Sequence, residues 1–300
     1  MATTTTVTSQ YKGNFAGEIF VEAFKKSDTI EKGLITVLPN IIGSGNMPQL
    51  SYSAELQPYA CGWSPDGEVT YNEKNVTLTK FMVSHELCKE DFASTFAAQA
   101  AGLFSAKAEV PQDVQSAILN DIVMNLGARI DEFIWQGNTA ASVNGLTASL
   151  LADTDTIGVY TEALTKTNVV DALEAVYDAI PEAIIESDDL VIAVSPKVLR
   201  LYRQNLAAQG DNTTVSSREL DYLGVRLESV GALSGDKIYA YRVPNVAFMT
   251  GLEADLNRVD VKDMDEIDLS GQIRTKSVLA IAADYSFANE IVVFDIAFNL

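Results

Sequence analysis

The stretch from Asp113 to Asn138, "DVQSAILNDIVMNLGARIDEFIWQGN", is the longest helix-like run in the chain, and what it lies against decides the fold. Apolar residues fall at Val114, Ile118, Leu119, Ile122, Leu126, Ile130, Phe133 and Ile134, a wide stripe at mostly helical spacing. Gln115, Asn120, Asp121, Asn125, Arg129, Asp131 and Glu132 fill the remainder, so the segment is no membrane span. Pro111 and Asp113 mark its start and Gly137 its stop. An unbroken helix from Asp113 to Trp135 would be about 35 Å long, against a common length of about three turns. A helix of that length with so broad an apolar stripe is expected to brace something large.

Working outward, composition narrows the choices. The 300 residues are 47% hydrophobic, enough to bury a sizeable core. Forty-one acidic residues against 21 basic ones give a formal charge of −20, the wrong sign for a conventional DNA binder. Cys61 and Cys88 are the only cysteines, too few for a disulfide framework, and a reduced cytosolic setting fits them. "MATTTTVTSQYKG" has no apolar centre, so no secretory signal is read there, and no run approaches membrane-span length. The expectation is a soluble protein made inside the cell.

Before the long helix, residues 1–15 read as a polar, Thr-rich arm, "EIFVEAFKKS" as a short helix and "GLITVLPNI" as an extended segment. "QLSYSAELQPYACGW", a turn at "SPDGE" and "VTYNEKNVTLTKFMVS" read as a long hairpin. Pro65, Asp66 and Gly67 supply the turn chemistry, and Val69/Tyr71 and Val76/Leu78 alternate as in half-exposed strands. Such a ribbon is only marginally stable alone, so it should pack on something, another subunit included. "HELCKEDFASTFAAQAAGLFSA" reads as one or two short helices. After the long helix comes an α/β block: a helix with Val169, Leu173, Val176, Tyr177 and Ile180 capped by Asn168, and a buried strand "DLVIAVS". Ser195 and Pro196 then open a further helix, "KVLRLYRQNL". "QGDNTTVSSRELD" is a polar loop, and strands follow at "GVRLESV", "KIYAYRV", "NVAFMTG", "LNRVDVKDM", "GQIRTKSVLAIAADYSF" and "IVVFDIAF".

No constellation for chemistry stands out. His85, the only histidine, forms His-x-x-Cys with Cys88, but zinc needs three or four ligands and Cys61 belongs to the hairpin's far arm. Ser84-His85-Glu86 has the residue types of a triad without its geometry. Asp260, Asp263, Asp265, Glu266 and Asp268 lack the ligand order of a calcium loop and read as a solvated turn. "GSGNMP" at 43–48 lacks the Gly-Lys-Ser/Thr of a phosphate loop. Asp188 and Asp189, neighbours on a strand, would point to opposite faces rather than share a proton. No catalytic, cofactor-binding or metal residue is assigned.

The order of segments carries more. "VTLTKFMVSHELCKEDF", "ILNDIVMNLGARIDEFIWQGN", "NGLTASL", "DDLVIAVSPKVLRLYRQ" and "LDYLGVRLESVGALSGDKIYAYRVPNVAFMTG" come in the order of the return strand, spine helix, following segment, axial-domain strand and helix, and axial strands of one family. Over residues from about 43 to 300 the chain resembles the major capsid proteins of tailed bacteriophages, with the Hong Kong phage capsid fold, an α+β architecture. The resemblance implies an N-terminal arm at 1–42, an extended loop and return strand at 43–90, and a peripheral domain at 91–152 with its spine helix at 113–135. It further implies an axial domain at 153–245, peripheral strands at 246–289 and a return strand at 290–300. The implied function is self-assembly, through hexamers and pentamers, into an icosahedral shell around double-stranded DNA: a virion protein assembled in the host cytoplasm, with no cofactor, no membrane and no enzyme activity.

Implied partners are other copies, a separate scaffolding protein and a portal during assembly, the packaged DNA without sequence-specific contacts, and a decoration or cement protein. A scaffold fused at the N-terminus is not expected, since no long helical segment precedes the arm. Some relatives lock the shell through a lysine–asparagine crosslink; Lys74, read near the hairpin tip, has no partner that can be placed, so no crosslink is expected. The alternatives are an encapsulin-type compartment with the same fold and, from another class, a soluble α/β metal-dependent enzyme using His85.

Overall fold

"LVIAV" at 190–194 offers water no polar side chain, and the strand it forms is buried at all five positions. The computed structural model of the protein describes residues 28–53, 56–59, 61–62, 67–88, 126–159, 163–209, 220–251, 259–264 and 272–295. The first strands in chain order are β1 (Thr36–Leu38), β2 (Ser44–Ser53), β3 (Glu68–Thr77), β4 (Thr79–Cys88), β5 (Gly137–Asn138), β6 (Val143–Asn144), β7 (Ile157–Val159) and β8 (Leu190–Val194). They are followed by β9 (Leu220–Tyr222), β10 (Val225–Ser229), β11 (Ile238–Arg242), β12 (Val246–Thr250), β13 (Val259–Asp263), β14 (Gln272–Tyr285) and β15 (Val292–Phe294). The helices are α1 (Asp28–Glu31), α2 (residues 126–136), α3 (Leu146–Ala152), α4 (Val169–Asp178) and α5 (Pro196–Gln209).

Two sheets form the body. One has six strands in the order β7-β15-β11-β8-β10-β9. In the other, β14 serves as a rail: β12 and β13 pair with successive parts of one edge, β4 runs along the opposite edge, and β1 adds in parallel to β12. Because side chains alternate along a strand, β8 feeds two cores. Leu190, Ile192 and Val194 meet α4 and α5 through Val169, Leu173, Val176, Val198 and Tyr202. Val191 and Ala193 face a second core with Tyr239, Tyr241 and Val293.

That second core is where α2 lies. Phe133 meets Phe81 of the β14 sheet edge to face, with ring centroids 5.0 Å apart. Trp135 meets Tyr239 of the six-stranded sheet at 5.2 Å. The helix is thus wedged between both sheets, with Leu126, Ile130 and Ile134 buried beside the two rings. It ends at residue 136, and Gly137, at φ +76°, makes the stop. A Cβ there would strike the Gly145 amide and the Val143 carbonyl, so no other residue fits. Residues 113–125 of the expected spine helix lie outside the described residues, as do "EIFVEAFKKS" and nearly all of the expected helices before it.

Several expectations are corrected. His85 and Cys88 do not open a helix; they belong to β4, paired with Thr275 and Gln272. The hairpin's first arm ends at Ser53 rather than Trp63, and Leu56–Tyr59 form no strand. Its second arm is two strands: β3 pairs with β2, and after Leu78 the chain leaves as β4 to join β14. Residues 28–38 pack on the body, with Leu34 and Ile35 buried and β1 in the sheet, where "GLITVLPNI" read as an extended segment. Asn168 does not cap α4; its side-chain oxygen turns back to accept from the Thr165 amide at 2.6 Å. Ser195 does cap α5, accepting from the Val198 amide at 3.3 Å. The polar loop read up to Asp221 gives way to β9 at Leu220.

Candidate assembly surfaces

The β2–β3 ribbon has ten residues in each arm, paired from Ser44↔Thr77 to Ser53↔Glu68. At its base, Met47 and Val76 turn one way and bury themselves, with Leu78, on Ala247, Met249 and Ala282. Gly45 allows this approach: a Cβ there would come within 2.8 Å of the Met249 sulfur. The opposite parity carries Leu50, Tyr52, Val69 and Tyr71, and the register sets Leu50 beside Tyr71 and Tyr52 beside Val69 on one face. All four are exposed, at 59–70% of their surface. Leu56 and Tyr59, in the connection between the arms, are exposed as well. Six large apolar side chains gathered on one projecting element are more than a soluble monomer ordinarily shows water.

A second surface lies on the β14 sheet. The face that seats the ribbon's base stays open farther along, where Met82 stands opposite Val278, both exposed. Lys80, Lys262, Arg274 and Lys276 surround them, also exposed, and Arg274 pairs with Glu86 at 3.3 Å. In a chain of formal charge −20 this is a local concentration of cations. Alternation on β4 and β14 made this face predictable, but only the register brings Met82 to Val278.

The residues weighed for chemistry are dispersed. Cys61 is exposed in the ribbon's outer connection. Along β14 the order of neighbours is Cys88 at Gln272, Thr79 at Ile281, Lys74 at Asp284 and Gln49 at the Ser286 carbonyl. The ribbon therefore runs on past the end of the sheet and carries Cys61 away from the Cys88 end of β4. The side chains of His85 and Cys88 lie outside the described residues. Glu86, in the triad-like trio, is taken by Arg274. Asp188 and Asp189 sit in the turn before β8, not on it, and Asp189 pairs with Arg242 at 3.3 Å. Asp260 and Asp263 fall on β13; Asp265, Glu266 and Asp268 lie outside the described residues. Among the described residues, no three His, Cys, Asp or Glu side chains converge on a metal-sized point.

Two buried groups had no signal in the sequence. Asp131, read as solvent-facing, is 5% exposed and accepts the Thr29 amide at 3.2 Å. The Trp135 indole donates to the Thr29 hydroxyl at 3.0 Å. Thr29 comes from a segment 102 positions before Asp131, so helix periodicity alone could not reveal the contact. Lys74, expected near the tip, sits in the inner part of the ribbon and is bonded to Asp284 at 2.7 Å.

No family model and no curated protein matches the sequence. Solved structures do match in fold. The capsid of a native GTA particle aligns with TM-score 0.62 at 10% identity, over 98% of this chain and 94% of that one. The procapsid of satellite phage P4 with its size determination protein aligns with TM-score 0.58 at 10% identity, over 93% and 98%. The virus-like particle from Pyrococcus furiosus aligns with TM-score 0.56 at 9% identity, over 94% and 98%. At such identities the likeness is one of fold, and it spans nearly the whole of each chain.

Proposed function

We propose that this chain, having the Hong Kong phage capsid fold, is the major capsid protein of a tailed double-stranded DNA phage and builds its icosahedral head. The observation that carries the reading is the ribbon's outer face, where Leu50, Tyr52, Val69 and Tyr71 stand together in water on an element with no core of its own. Burying apolar area at about 25 cal/mol per Å² favours any partner that covers it, and a closed symmetric assembly lets identical copies do so. The work is architecture rather than turnover.

In this reading the six-stranded sheet with α4 and α5 is the axial domain, 153–245 with 290–300, around which hexamers and pentamers form. The β14 sheet with α2 is the peripheral domain, 91–152 and 246–289, and the ribbon is the extended loop within 43–90. A separate scaffolding protein, a portal, a decoration protein and unspecific contact with packaged DNA complete the partners, in a virion assembled in the host cytoplasm. An encapsulin-type compartment, a shell of the same fold around protein cargo, is the second reading.

Expression of the full chain followed by electron microscopy tests the proposal. Closed shells of uniform size are expected; a subunit that stays solitary at high concentration overturns it. Double-stranded DNA in shells purified from phage-producing cells supports the phage reading, and protein cargo in its place supports the compartment.

A further inference from the structure

We infer that Lys74 is the positioning residue that fixes the angle at which the ribbon leaves the subunit; the inference rests on the shell reading only for its consequence in assembly. The ribbon joins the body at two thin points, Gly43 before β2 and Leu78 after β3, bridged by the bond from the Leu78 amide to the Gly43 carbonyl at 2.9 Å. Met47, Val76 and Leu78 seat the ribbon's inner pairs on the body, so it is free to swing only beyond the Met47–Lys74 pair. Three residues out from Thr77, the Lys74 ammonium meets the Asp284 carboxylate at 2.7 Å and the Tyr285 carbonyl at 3.0 Å, and lies 3.8 Å from the centre of the Tyr285 ring. On the paired strand the Gln49 amide donates to the Ser286 carbonyl. Beyond these two residues no side chain of either arm is buried.

The anchors are themselves held. The Asp284 carboxylate accepts the Tyr285 amide at 2.8 Å. The Tyr285 hydroxyl donates to Asp153, just after α3, at 2.8 Å. The cation is thus gripped by a preset carboxylate, a strand carbonyl and a ring tied down at its far side, a combination of charge-assisted bond and cation–π contact. Leverage makes the position matter. Lys74 sits at the last seated pair, and the end of the paired ribbon lies six residues farther out, about 20 Å away at about 3.4 Å per residue. A tilt at Lys74 is therefore carried over that whole length to where the apolar face must meet a neighbour. An ordinary ion pair would add stability and nothing else; a strut would also govern the motion of the tip.

Cys61, exposed near the tip, gives a direct readout. In full-length chain carrying Cys88→Ser, a fluorophore on Cys61 reports the ribbon's swing by time-resolved anisotropy. Lys74→Met keeps the apolar stem and removes the charge. It is expected to lower the slow anisotropy component at Cys61 and to lower the thermal midpoint modestly, by the stability of the lost pair. It should also cut the yield of uniform shells about tenfold, the scale of one charge-assisted bond. Lys74→Arg, which can keep both the pair and the ring contact, should restore both readouts. Unchanged tip anisotropy and normal shells from Lys74→Met overturn the strut. If the parent chain itself makes no shells, the shell reading fails while the anisotropy still decides the strut. Asp284→Asn attacks the same contact from the body side and serves if Lys74→Met does not fold.

Discussion

Leu223 is held in the left-handed region at φ +49° and is 65% exposed, in the two-residue turn with Gly224 that joins β9 to β10. A branched side chain there costs about 1 kcal/mol or more, and asparagine is the residue such a turn favours before glycine. Leu223→Asn is therefore expected to stabilise the isolated subunit by about 0.5–1 kcal/mol, measured by urea unfolding; a loss of stability would show that Leu223 packs usefully where it stands. Asp153 gives a pH effect at the same scale. The Asp155 amide, then the Tyr285 hydroxyl and more weakly the Lys74 charge, hold its carboxyl below the usual carboxylate range. A depressed folded value means the contribution is present above the ordinary range and is lost as pH falls through the folded value. Asp153→Asn should accordingly lower the thermal midpoint at neutral pH and converge with the parent in acid. A constant offset across the whole pH range would contradict this.

At the scale of elements, the ribbon is the clearest test of what a segment is for. Replacing residues 50–71 with Asn-Gly would join Gln49 to Asn72, a register pair, through the turn that two-residue hairpins prefer. The inner pairs, the buried Met47 and Val76 and the Lys74 strut all remain. The shortened subunit should fold with its thermal midpoint little changed and fail to form stable shells, as seen by light scattering and microscopy. Normal shells would mean that the outer apolar face bridges nothing. This element was partly legible in the sequence. Alternation at Val69 and Tyr71 and the turn residues announced a hairpin, and "LVIAV" announced a strand covered on both faces. Ser195-Pro196 announced α5 because a cap and a first-turn proline act locally. Misreadings arose where the competing contact is distant or the alternative lies next door. Leu78 looks like one more residue of a continuing strand, yet there the chain exchanges β2 for β14 as its partner. Asn168 has the composition of a cap but finds Thr165 and the Ala163 carbonyl closer to hand. Asp131 looks like a surface residue until Thr29 arrives from the other side of α2. The candidate assembly surface was legible as pattern only: exposed apolar side chains on a hairpin can be listed from sequence, but that four of them share one face depends on the register.

The whole chain carries a formal charge of −20, and that bears on the proposed assembly. Two such bodies repel at long range, whereas the apolar ribbon face attracts only on contact. The cations around Met82 and Val278 are too few to reverse the field, and Arg274 is already engaged by Glu86. Salt discriminates between these forces. The screening length shrinks from about 30 Å at 0.01 M to about 10 Å at 0.1 M, which removes most of the long-range repulsion and leaves apolar burial intact. Assembly of purified subunits, followed by light scattering, should therefore quicken and reach higher yield as salt rises from about 0.01 M to about 0.2 M. The same change should weaken any association with free double-stranded DNA, because that attraction depends on releasing counterions. Opposite trends in the two assays would place the driving force of the shell in apolar contact between copies. Assembly that declines with salt would instead assign it to ion pairs across the interface, with the cationic face of the β14 sheet as their first location.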